Sequence, residues 1–153
     1  MKLPVYLDNN ATTPVDPRVL DAMLPYLKDH FGNAASRSHS FGLEASHAVE
    51  NARQNIADLL HTETKEEIVF TSGATESDNL AIKGIAEKLA ARGKHIITCT
   101  TEHKAVLDTC KYLESKGYEI TWLAPDKYGR VAAQQVSDAI RPDTILITLM
   151  LAN

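Results

Sequence analysis

Apolar positions in the first third of the chain recur at helical spacing. Val19, Met23 and Leu27 fall on one stripe, and Ala45, Val49, Ala52, Ile56 and Leu59 on another. At 3.6 residues per turn such stripes predict a helix opened by Asp16 and Pro17 and a long helix over residues 41–60, each turning its stripe inward. Pro25 lacks an N–H to donate, so a kink or an early end is expected there. Ahead of it, Val5-Tyr6-Leu7 is a brief extended run, and Asp8 to Pro14 is rich in the turn formers that cross a surface. Between the helices, Phe31 to Ser40 reads as a solvated loop from which Arg37 or His39 could reach a ligand or a second subunit.

The pattern then alternates. Ile68-Val69-Phe70 is too short and too rich in β-branched and aromatic residues for a buried helix, which predicts a strand. The period changes at Gly73. Ile82, Ile85, Ala86 and Leu89 follow at helical spacing, with Thr75 as the expected N-cap and Asp78 closing an imperfect capping box. Residues 94–100 and 118–123 read as strands, separated by a helix marked by Val106, Cys110 and Leu113 that ends at Gly117. After a turn over Pro125 to Gly129, Val136 and Ile140 mark a short helix, and Thr144 to Leu151 is nearly continuous apolar sequence, expected as a strand covered on both faces. Strand-helix units with buried strands predict an α/β fold: a mostly parallel sheet flanked by helices.

Composition narrows the partners. The 153 residues carry a net charge of -4, with lysines and arginines scattered along the chain, so no electrostatic footprint for nucleic acid or an anionic membrane is present. The opening residues have no long apolar core, which predicts a soluble, cytoplasmic protein with neither signal peptide nor membrane span. Cys99 and Cys110 fit neither a metal-ligand spacing nor a disulfide framework and read as core thiols.

In open parallel sheets ligands gather at the carboxyl ends of the strands. Three segments with useful chemistry follow the expected strands: Ser72-Gly73-Ala74-Thr75, Thr101-Glu102-His103 and Ala152-Asn153. A helix start has unpaired amide donors and partial positive charge, so a phosphate could sit over Gly73, Ala74 and Thr75, with the hydroxyl of Ser72 or Thr75 helping. Many such turns bind nothing, and the local pattern leaves both readings open. His103 is the best acid-base candidate of the six histidines, because imidazole titrates near neutrality; it could equally cap the next helix.

The same segments carry a wider pattern. Tyr6-Leu7-Asp8-Asn9-Asn10-Ala11-Thr12-Thr13-Pro14, Phe31-Gly32-Asn33, Ser36-Arg37-Ser38-His39, Ser72-Gly73-Ala74-Thr75-Glu76-Ser77-Asp78-Asn79, Thr101-Glu102-His103-Lys104-Ala105-Val106 and Ala152-Asn153 resemble, in order and spacing across all 153 residues, cysteine desulfurases of the NifS/IscS type within the class V aminotransferases. The resemblance implies the aspartate-aminotransferase-like (fold type I) architecture, with residues 1–15 an N-terminal segment and residues 16–153 an incomplete large cofactor-binding domain. It implies pyridoxal 5'-phosphate as cofactor. Ala74 and Thr75 would hold the phosphate, His103 would stack on the pyridine ring and assist proton transfer as the catalytic residue, and Asn153 would approach the phenolic oxygen.

The implied reaction takes sulfur from L-cysteine, leaves L-alanine and passes the sulfur as a persulfide to acceptor or scaffold proteins of iron-sulfur cluster assembly, in a homodimer. Family members continue beyond the last residue here, and the Schiff-base lysine, the carboxylate facing the pyridine nitrogen and the persulfide-forming cysteine belong to that further part. Neither Cys99 nor Cys110 matches the nucleophile. The chain is therefore expected to act with a complementary C-terminal polypeptide. Two alternatives stand beside this reading: another pyridoxal-phosphate lyase or aminotransferase, such as a selenocysteine lyase, or a non-catalytic fragment that binds a desulfurase partner.

Overall fold

The computed structural model of the chain describes residues 4–152, and the chain divides into two compact units, residues 1–70 and 71–153.

In the first unit, helix α1 (Pro17–Lys28) begins where Asp16 accepts from the Arg18 amide at 2.8 Å, and it runs through Pro25 without ending there. Its apolar stripe is not turned inward as expected. Val19, Met23 and Leu27 are 50%, 48% and 68% exposed, and no residue of α1 is buried. Amphipathic spacing decides which face of a helix is apolar, not what covers it. Helix α2 (Ser40–Leu60) begins at His39, whose Nδ1 accepts from the Gly42 amide at 3.2 Å. Only part of its expected stripe is covered: Ala45 is buried and Ile56 half-buried, while Val49, Ala52 and Leu59 are exposed, and the other buried residues, Gly42 and Ala57, lie off the stripe. A 3-10 turn (Lys65–Glu67) follows, and Lys65 pairs with Glu50 of α2 at 2.8 Å.

Ile68-Val69-Phe70, expected as a strand, is extended but joins no ladder among the described residues. Its hold is a side-chain one: Arg53 of α2 donates to the Ile68 carbonyl, and its guanidinium lies 4.9 Å from the centre of the Phe70 ring. A strand is defined by hydrogen bonds to a neighbour, and local composition cannot supply the neighbour.

The second unit holds helices α3 (Ala74–Leu89), α4 (Lys104–Ser115) and α5 (Ala133–Ala139) and strands β1 (His95–Cys99), β2 (Glu119–Leu123) and β3 (Thr144–Ile147). The sheet is parallel, in the order β2-β1-β3. Strand β1 is central, and all five of its residues are buried. Ile96 packs with Ile82 and Ala86 of α3 and with Val106, Cys110 and Leu113 of α4. Burial of large apolar side chains at about 1.5–3 kcal/mol each makes this cluster the main support of the unit. Helix α4 ends with Gly117 at φ 86°, where the Gly117 and Tyr118 amides return to the carbonyls of Glu114 and Leu113.

Two features set the sheet's amino edge. Gly93 lies against the backbone of Asp143, close enough that a Cβ would collide with the Asp143 carbonyl. His95, with no exposed surface, joins all three strands: Nδ1 lies 2.7 Å from Thr144 Oγ1 and Nε2 lies 2.8 Å from Thr121 Oγ1. Beside it Arg141 binds Glu119 at 2.5 Å and Asp143 at 2.7 Å.

Strand β3 is shorter and less covered than the apolar run predicts. It stops at Ile147, its residues are half-buried to exposed, and Leu151 is fully exposed. The Thr148 amide makes one more bond to the Ile97 carbonyl, at 2.9 Å, before the chain leaves the sheet. An edge strand has a neighbour on one side only, so an apolar composition does not secure burial on both faces.

Candidate functional site

Helix α3 opens differently from the expected arrangement. Gly73, not Thr75, is the N-cap, and Thr75 is the second helical residue. The box closes on Glu76 instead of Asp78: the Glu76 carboxylate accepts from the Ser72 amide at 2.6 Å and from the Ser72 hydroxyl at 2.7 Å. Glycine has no side chain with which to cap, and a glutamate three residues on reaches back to the preceding amide. These two bonds hold the Glu76 carboxyl below the usual carboxylate range. They also engage the Ser72 hydroxyl within the turn, which leaves Thr75 as the side-chain donor available to an anion.

The first intrahelical bond runs from the Ser77 amide to the Gly73 carbonyl at 3.1 Å. The amides of Ala74, Thr75 and Glu76 lie before it, at the positive end of the helix. Ala74 and Thr75 are both exposed.

His103 is the N-cap of α4. Its Nδ1 accepts from the Ala105 amide at 3.1 Å, and the ring is exposed. An accepting Nδ1 carries no proton, so the neutral ring holds its proton on Nε2. The capping role weighed from sequence is therefore present, and it engages Nδ1 of an exposed residue.

Thr75 and Ala105 line one groove of about 260 Å³ between α3 and α4, together with Asn79, Lys83, Asp108 and Tyr112. The starts of the two helices are thus brought together, and the His103 ring sits on the amide of a residue in that groove's wall. Asn153 lies outside the described residues.

Three residues inside the quoted motifs take parts that the sequence reading did not assign to them. Glu102, beside His103, is 7% exposed and accepts from the Met150 amide at 2.6 Å. Glu76 takes the part that the sequence reading gave to Asp78. Asn79 donates to the Thr75 carbonyl at 2.9 Å and becomes visible once α3 is known to begin at Ala74. The two cysteines stay out of this chemistry. Cys99 and Cys110 are buried, and burial, with the Glu114 and Glu102 carboxylates adding to it, pushes the Cys110 thiol up to about 11. Among the described residues no helix is long and apolar enough to cross a membrane.

Known proteins share this arrangement. An IscS cysteine desulfurase of Anaeromyxobacter sp. is 58% identical over 153 residues, which is all of this chain and 38% of that protein. A solved NifS-like protein superposes with a TM-score of 0.87 at 43% identity, over 97% of this chain and 40% of its own. The structure described as SspA in complex with cysteine gives 0.82 at 48% identity, over 94% of this chain and 41% of its own. The chain spans about two fifths of the length of the relatives it matches. Residues 5–153 match the family model described as Aminotransferase class-V, and the chain belongs to that family.

Proposed function

We propose that this chain is the amino-terminal part of a cysteine desulfurase that uses pyridoxal 5'-phosphate to convert L-cysteine to L-alanine and passes the sulfur on as a persulfide. The observation that carries the reading is likeness along the whole of this chain to the corresponding two fifths of a protein of that name, at 58% identity, through the segments that build the groove between α3 and α4. That a relative of 48% identity holds cysteine supports the substrate.

The donors fit the cofactor's chemistry. The amides of Ala74 and Thr75 and the Thr75 hydroxyl suit a phosphate dianion, for which a helix start is a ready site. His103 suits a flat pyridine ring, with Nε2 free to hold or move a proton while Nδ1 keeps the helix capped. Asn153 is assigned the phenolic oxygen. When bound, the cofactor supplies an electron sink for the substrate's α-carbon. The chain's own residues anchor the phosphate, orient the ring and serve proton transfer.

In this reading residues 16–153 belong to an incomplete large cofactor-binding domain. The cofactor-anchoring lysine and the persulfide cysteine come from polypeptide outside the stretch matched here. The completed protein works as a cytoplasmic homodimer that delivers sulfur to acceptors of iron-sulfur cluster assembly. The test is to incubate the complete polypeptide containing these residues with pyridoxal phosphate, L-cysteine and a thiol reductant. Equimolar alanine and sulfide are expected. No alanine from cysteine, or turnover of selenocysteine alone, would overturn the assignment.

A further inference from the structure

We infer that Glu102 is a positioning residue that ties the segment leaving β3 to the start of α4, so that His103 and the residues after β3 keep a fixed relation. The inference rests on the functional reading above only for what is positioned; the tie itself stands on geometry.

Glu102 lies between β1 and α4, next to His103 in the chain. Its side chain is buried, which is unusual for a carboxylate without a compensating partner. The compensation is the 2.6 Å bond from the Met150 amide, across 48 residues of sequence. The ladder between β1 and β3 makes its last bond at Thr148, so the Met150 bond continues the attachment two residues beyond it by a side chain in place of a strand. Met150 itself is half-exposed, and Leu151 is fully so. Apolar packing therefore does little to hold this segment, and a short charge-assisted hydrogen bond becomes its main restraint. Glu102 and Met150 also line a cavity of about 390 Å³ with Cys99, Thr101 and Arg130, so the tied segment forms the wall of an open space at the carboxyl end of the sheet.

Its position explains why a side chain must do this. Strand β3 ends before Met150, and backbone pairing past Thr148 would carry the chain onward beside β1, where α4 begins. A carboxylate from the β1–α4 connection lets the segment diverge and still be held.

The test compares Glu102→Ala and Glu102→Gln with wild type in the complete polypeptide. It reads hydrogen exchange at the Met150 amide, affinity for pyridoxal phosphate, and kcat and KM for L-cysteine. Glutamine keeps an acceptor oxygen of nearly the same reach. Glu102→Ala should speed Met150 exchange at least tenfold and lower kcat at least tenfold with KM changed less than threefold, and Glu102→Gln should restore both most of the way. Unchanged Met150 exchange in Glu102→Ala overturns the tie. Faster exchange with unaltered cofactor affinity and kcat overturns the positioning role, as does a glutamine variant no better than alanine. If the wild-type polypeptide neither binds the cofactor nor acts on cysteine, the functional reading fails, and the exchange comparison still supports or overturns the tie.

Discussion

His95 Nδ1 lies 2.7 Å from Thr144 Oγ1, joining the first residue of the central strand to the first residue of its neighbour β3. The imidazole has no exposed surface, and desolvation, helped by the Arg141 cation, lowers its pKa; Asp143 and Glu119 oppose the shift less strongly. The folded state thus binds this proton less readily than the unfolded chain. Stability from His95 is complete above the ordinary histidine value of about 6.5 and is lost as pH falls below it, toward the lowered folded value. The expected slope is at most about 1.4 kcal/mol per pH unit for one proton. Urea unfolding between pH 5 and 8 should show this acid loss in the wild-type chain and a flatter profile in His95→Asn. Identical slopes would exclude His95 as the source.

Gly93→Ala should destabilise the second unit by about 1–3 kcal/mol, the usual scale for forcing a group into filled space. The added carbon meets the Asp143 backbone, which is fixed between Arg141 and the His95 amide. A urea midpoint unchanged from wild type would show that this edge yields freely.

For the cofactor, Thr75→Ala in the complete protein removes one hydroxyl donor and keeps the amides. The expected loss is about 1.5–3 kcal/mol in pyridoxal-phosphate affinity, with Thr75→Ser recovering most of it. Titration of the apo protein decides this, and an unaltered affinity would remove Thr75 from the phosphate site.

His103 has two separable roles. His103→Ala should slow turnover by roughly 10²–10⁴ and also weaken the start of α4 by about 0.5–2 kcal/mol. His103→Asn keeps a good N-cap, so it should regain the stability and not the turnover. An asparagine variant with near-normal kcat would reduce His103 to a capping residue.

The sequence made some of this legible for clear physical reasons. Ile96 and Ile97 sit in a short β-branched run whose length favours a buried strand, and Val106, Cys110 and Leu113 face the core because helical spacing dictates a face and a partner sheet is present. The same reasoning misplaced Val19, Met23 and Leu27, whose face is real but uncovered. It also made a strand of Ile68-Val69-Phe70, which joins no ladder among the described residues. At the site, His103 could be picked out by type and place. Thr75 was given the cap because its hydroxyl makes it the better cap in isolation. The reach of Glu76 back to Ser72, which decides the matter, is a three-dimensional fact. The tie made by Glu102 was not legible, because its partner lies 48 residues away in the chain.

The order β2-β1-β3 also governs where this sheet can grow. Both sides of β1 are taken, so any additional strand must dock on the outer side of β2 or of β3. The two sides offer different welcomes. Strand β2 opens on the charged Glu119, which Arg141 binds, while β3 presents Thr144-Ile145-Leu146-Ile147 with Ile147 already exposed. A strand seeking apolar cover would be drawn to β3, and a foreign edge from another molecule would be drawn to the same place. Further growth of the sheet and unwanted edge-to-edge pairing therefore call on the same strip of backbone.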